Sequence, residues 1–129
     1  MKRFFLLWLP VLAWMGVIFS GSSIGSIPRV GDETADGLVH RAAHLIEFAV
    51  LGALLLRAVS QGKRITKREL IITLIVVAVY GASDEFHQRF TPGRSSEGIA
   101  VVFDAVGGLA GAWVYRWWRS SRQPQQATD

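Results

Sequence analysis

Cysteine is absent from this chain of 129 residues, which excludes disulfides, thiol nucleophiles and thiolate–metal chemistry and leaves the redox compartment unreadable. Charge is scarce as well. Only 19% of residues are Asp, Glu, Lys or Arg, against roughly a quarter in an ordinary soluble domain. No internal repeat and no low-complexity segment interrupts the body of the chain. What is plentiful is apolar: half the residues are hydrophobic and the mean hydropathy is +0.31.

The apolar residues come in blocks. Residues 4–19 carry no charge, residues 42–56 only Glu47, residues 70–82 none, and residues 99–118 only Asp104 and Arg116. A helix needs about 20 residues to cross the hydrocarbon layer, so four such blocks predict an all-α integral membrane bundle of four transmembrane helices. The expected spans are 4–23, 40–59, 65–83 and 99–118, forming one domain over residues 1–118. The third is long enough because its flanking Lys and Arg reach back to the headgroups. Residues 119–129 read as a polar tail. Turn chemistry marks the boundaries at Gly21-Ser-Ser, Ile27-Pro28, Gln61-Gly62 and Pro92-Gly93.

The net charge is +4. The basic residues flank apolar blocks, a pattern that encodes topology and argues against nucleic acid as a partner. Lys2 and Arg3 precede the first block. Arg57, Lys63, Arg64, Lys67 and Arg68 separate the second from the third, and Arg116, Arg119 and Arg122 close the fourth. Lys and Arg gather on the cytoplasmic side, so the expected protein is a multi-pass cell-membrane protein with both termini inside and with loops 21–40 and 84–98 outside. Met1-Lys2-Arg3 followed by an apolar run and Ser-Gly-Ser-Ser also fits a signal peptide, whose cleavage would leave three spans. Trp8, Pro10 and Trp14 favour a retained helix.

Ionisable groups in a bilayer are costly, roughly 2.5–3.5 kcal/mol each on insertion scales, so they face the bundle interior and have a partner or a task. In the second block His40, His44 and Glu47 follow i,i+4 and i,i+3 steps and share a face. Glu47 lies roughly 10 Å in from His40, and Asp104 roughly 8 Å in from Ile99. Tyr80, Asp84, His87 and Gln88 share a face at the end of the third helix. Three helices thus each offer a carboxylate at comparable depth in the outer half, with His44, His87 and Arg94 nearby. One reading is a polar cluster that only holds helices together. The other is a working site in which Asp84, His87 and Glu47 form a proton relay or acid/base pair, and Arg94, in a Pro-Gly turn, contacts a phosphate or carboxylate. Arg94 also suits a charge match to Glu97 or Asp84. No His-Glu-x-x-His pair and no nucleophile elbow occurs, so neither a metal nor another cofactor is specified. Gly107, Gly108 and Gly111 form a Gly-x-x-x-Gly surface for close helix packing, and Trp113, Trp117 and Trp118 fit an interfacial belt.

The stretches Arg41-Ala-Ala-His44-Leu-Ile-Glu47-Phe48 and Ser83-Asp84-Glu85-Phe86-His87-Gln88-Arg89-Phe90-Thr-Pro92-Gly93-Arg94, continued by Asp104-Ala-Val-Gly107, resemble the VanZ-like family of small bacterial membrane proteins. The resemblance covers roughly residues 38–112. It implies site residues His44, Glu47, Asp84, Glu85, His87, Gln88, Arg94 and Asp104, together with Pro92 and Gly93. The chain departs from the family pattern at Ala42 (often Lys), Phe48 (often Tyr) and Ala100 (often Asp). The family takes its name from a protein associated with low-level resistance to the glycopeptide teicoplanin, so the resemblance implies a place in the cell envelope, a link to antibiotic resistance and a small helical fold, but no reaction. The expected partners are membrane lipid and an anionic envelope lipid or glycopeptide-related ligand. The site is then either a binding pocket for that molecule or an intramembrane acid/base or metal-assisted enzyme acting on it. A proton-coupled carrier would need a homo-oligomer to form a pathway.

Overall fold

The computed structural model describes residues 1–24, 33–92 and 98–122, with the side chains of 33–36 excepted. Four helices, and no strand, occur among them: α1 (Lys2–Ser22), α2 (Glu33–Ser60), α3 (Lys67–Gln88) and α4 (Ala100–Ser121). They run up and down, so the end of α1, the start of α2, the end of α3 and the start of α4 meet at one end of the bundle.

The distribution of side chains is inverted relative to a water-soluble bundle. Phe4, Phe5, Leu9, Ile46, Ile75, Val79, Val102, Val106 and Trp113 lie outside, each more than half exposed, while His44, Asp84, Glu85, Gln88 and Asp104 are buried. An apolar exterior of this extent needs a non-aqueous surround. Three helical stretches, Lys2–Ser22, Gly37–Ser60 and Lys67–Gln88, are long and apolar enough to cross a membrane. At 22 residues α4 has the length, about 33 Å, but it is not among the three. Its hydropathy is diluted by glycine, by tryptophan and by Asp104, Arg116 and Arg119, so the expectation of four spans is supported here only as four helices with three apolar enough to cross.

Without a hydrophobic drive between helices in lipid, packing rests on close approach and hydrogen bonds. The most extensive contact joins α2 to α4. Asp104, Gly107, Gly108, Gly111 and Ala112 form the buried stripe of α4, at the i, i+3, i+4, i+7, i+8 spacing of one helix face. A methyl added at Gly111 would overlap the carbonyl of Ala49, one at Gly52 that of Gly108, and one at Gly107 would stand 2.5 Å from the carbonyl of Leu45. The two backbones therefore touch along three turns, where any side chain would part them. Val77 of α3 fills the space over Gly108.

α1 is attached differently. Val11 and Ile18 join Phe48, Leu51, Leu55 and Val77 in the apolar core, with Leu7, Trp8, Trp14 and Met15 packed against it, and hydrogen bonds add to this attachment. Trp14 Nε1 donates to Glu47 O at 2.9 Å, and Tyr80 Oη donates to Met15 O at 2.7 Å. Ser20 in α1 and Ser23 just after it return their hydroxyls to Gly16 O and Phe19 O, so neither hydroxyl is left without a partner in the bilayer. At the opposite end of the bundle α2 closes with Gln61 and Gly62 at φ 49° and 78°. Thr66 then caps α3 through a reciprocal bond with Glu69.

Candidate functional site

The end of the bundle where α1 and α3 finish and α2 and α4 begin holds two hydrogen-bonded groups. The first joins α2 to α4. His44 Nδ1 lies 3.2 Å from Asp104 Oδ1, both buried. An ionised carboxylate accepts only, so against it Nδ1 is a protonated nitrogen, and Nε2 is the ring nitrogen left to face elsewhere. Gly81 of α3 makes room for this pair: a Cβ there would stand 3.1 Å from both Asp104 Cβ and Oδ2. The imidazole is stacked against Phe48, with rings 6.2 Å apart and 11° from parallel, and His40 lies one turn along at 4.9 Å. Phe48 also packs on Tyr80.

The second group joins α1 to α3. Asp84 Oδ2 accepts from Ser22 Oγ at 2.7 Å and from Gln88 Nε2 at 2.9 Å, and Gln88 reaches Ser22 Oγ at 3.3 Å. Asp84 Oδ1 is buried with no hydrogen-bond partner among the described residues. His87, one helical step away, meets Ser23 Oγ through Nε2 at 3.1 Å and lies against the Phe19 ring at 4.5 Å. Since the Ser23 hydroxyl donates to Phe19 O, its oxygen accepts from His87 Nε2.

Between these groups a pocket of about 100 Å³ opens, lined by Gly37, His40, Arg41, His44, Glu85, Gln88, Ile99, Ala100 and Phe103. Its wall combines a guanidinium, two imidazoles, a carboxylate and an amide on an apolar bed, with Arg41 poised 6.0 Å over the Phe103 ring. Ala100 is part of that wall.

His44 and Asp104 are thus in direct contact, and Glu85 and Gln88 share a pocket with His44. Asp84 and His87 bond to α1 instead. Glu47 is half-buried and its carbonyl holds Trp14. Arg94, expected as the anion contact, lies outside the described residues, as do Gly93 and Glu97. Sequence reasoning missed Ser22, Ser23 and Gly37, and it did not place Arg41 in the pocket. The serines follow an apolar run and read as a boundary; their helical phase relative to Ile18 was the available signal. No group of three or more His, Asp and Glu residues with metal-holding geometry occurs among the described residues.

These features define a helical membrane protein whose buried ionisable groups, among the described residues, converge at one end of the bundle. Among known families, the chain belongs to VanZ/LLP1, whose family model matches residues 5–119. No curated protein and no solved structure matches it.

Proposed function

We propose that this member of the VanZ/LLP1 family spans the membrane four times with both termini in the cytoplasm, and that its polar pocket faces outward to hold an anionic, lipid-linked molecule of the cell envelope. The Lys and Arg bias of the sequence supports the orientation. The observation that carries the binding role is the pocket itself, open between α2, α3 and α4 and carrying Arg41, His40 and His44 beside an apolar bed. A guanidinium and two imidazoles suit a phosphate or carboxylate, and the bed of Ile99 and Phe103 suits the chain attached to it. A link to glycopeptide tolerance is the physiological expectation. It is tested in a host where expression of the wild type changes glycopeptide susceptibility. Arg41→Ala and His44→Ala should each abolish the effect at unchanged membrane abundance. An effect that survives both substitutions sinks the reading.

One observation favours a second reading, acid/base catalysis on the same molecule. An Asp104 carboxylate on Nδ1 leaves His44 Nε2 as a base at the pocket wall. Asp104→Asn keeps the size of the side chain and weakens that base. Wild type and the Asp104→Asn variant are each purified and incubated with envelope lipid extract. A change in the mass of a lipid that the wild type produces and the variant does not would establish catalysis; retention without conversion by both proteins would leave binding alone.

A further inference from the structure

The opposite end of the bundle carries a second concave surface, unconnected with the polar pocket. Lys63, Arg64 and Ile65, between α2 and α3, face Arg116, Arg119 and Ser120 of α4 across a cleft of about 480 Å³. None of these residues is acidic. The nearby acid, Glu69, is taken up by the Thr66 cap. Basic flanks that only encode topology need no particular arrangement, whereas these four cations come from two segments about fifty residues apart and surround one hollow.

The hollow is also built. Arg119 donates to Ser60 Oγ at 3.4 Å and to Gly62 O, which ties the end of α4 to the turn that closes α2. That turn is held from the other side by Arg3, which donates to Gln61 O at 2.7 Å. Arg119 is therefore a strut, while Lys63, Arg64 and Arg116 are exposed around the rim. Trp117 and Trp118, 61% and 44% exposed, project from the same turns of α4, and Arg122 lies 4.4 Å over the Trp118 ring. Exposed tryptophans at the end of an apolar helix belong at headgroup depth. A cluster of cations at that depth, between helices and beside apolar surface, fits a phosphate that has an acyl chain attached.

We infer that the Lys63–Arg64–Arg116 cleft binds the phosphate of an anionic phospholipid headgroup on the membrane face opposite the polar pocket. The inference stands apart from the function proposed above, because it uses none of the residues of that pocket.

The test is native mass spectrometry of the full chain in detergent with equal amounts of phosphatidylglycerol and phosphatidylcholine. A surface cation contributes about fivefold to attraction for an anionic headgroup. The wild type should therefore retain phosphatidylglycerol preferentially, and Lys63→Gln/Arg116→Gln should reduce the preference by about 25-fold. Both side chains are exposed, so the variant should elute and melt as the wild type does. Lys67→Gln/Arg68→Gln removes the same charge from the same end but leaves the cleft lining intact, and it should lose clearly less of the preference than the cleft variant. A wild type without preference, or a Lys67→Gln/Arg68→Gln variant that loses as much as the cleft variant, would overturn the inference. Inorganic phosphate that stabilises the wild type while phosphatidylglycerol shows no preferential adduct would identify free phosphate as the ligand and overturn the lipid source.

Discussion

The α2–α4 seam and the α1 attachment hold the same bundle together by opposite means. Along the seam, Gly52, Gly107 and Gly111 let backbone meet backbone, with His44–Asp104 at one end and Arg119–Ser60 at the other as polar contacts. Along α1 a few apolar side chains are joined by separate hydrogen bonds, donated by Trp14, Tyr80 and Ser22 and by His87 to Ser23. The first kind of contact fails abruptly, because a glycine has no smaller substitute and every larger one collides with a carbonyl. The second is a set of separate bonds that can be lost one at a time, each worth on average about 0.6 kcal/mol in a membrane. The proposed working pair thus stands on the unyielding side of the bundle, and Asp84 and His87 on the yielding side.

Gly111→Leu should give the largest effect. Its side chain cannot fit against Ala49, and the cost should exceed about 3 kcal/mol, at the upper end for overpacking. Loss of monodisperse protein, or a large fall in melting temperature in detergent, is the expected result. A Gly111→Leu variant that melts near the wild type would end the contrast between the two interfaces.

Asp104→Ala should come next. It leaves His44 Nδ1 buried without its acceptor, at a cost of about 1–3 kcal/mol, whereas Asp104→Asn keeps an oxygen there and should cost less. Equal melting temperatures for the two variants would show that His44 does not depend on this bond.

Tyr80→Phe and Ser22→Ala should be mildest. The first removes the bond to Met15 O and the second one of two donors to Asp84, each costing about 0.6 kcal/mol and no more than about 1.7. Additive thermal shifts in the double variant would support independent attachments. A shift larger than that of Gly111→Leu would invert the comparison.

These differences bear on what could be read from sequence. The helices were legible because charge-free blocks of span length have few other uses in a small chain. The family was legible from the stretch around Asp84 to Arg94, which is specific in both residue type and spacing. His44 and Asp104 could each be assigned an inward face and a depth from periodicity, but their pairing could not: three carboxylates at similar depth gave several combinations, and the choice depends on Gly81 admitting Asp104 beside α3. The Gly107-x-x-x-Gly111 spacing indicates close approach without naming the other side; Leu45 and Ala49 carry no mark of it. Ser22 was hidden because a serine after an apolar run looks like the end of a span. The weak apolar character of α4 was visible in its glycines and its Asp, yet block length dominated the reading.

That weak character has a consequence for how the protein is made. Synthesis runs from the N-terminus, so α1, α2 and α3 are complete before α4 appears. On the four-span reading α4 is a guest whose lodging must be ready. Its glycine and aspartate face has little affinity for acyl chains and finds its complement in Leu45, Ala49, Gly52 and His44 of a helix made some sixty residues earlier, with Val77 and Gly81 of α3 alongside. Membrane insertion and tertiary docking would then be a single event for this helix. A flaw in α2 would be felt first as a failure of biogenesis, before any loss of the finished protein's stability or activity.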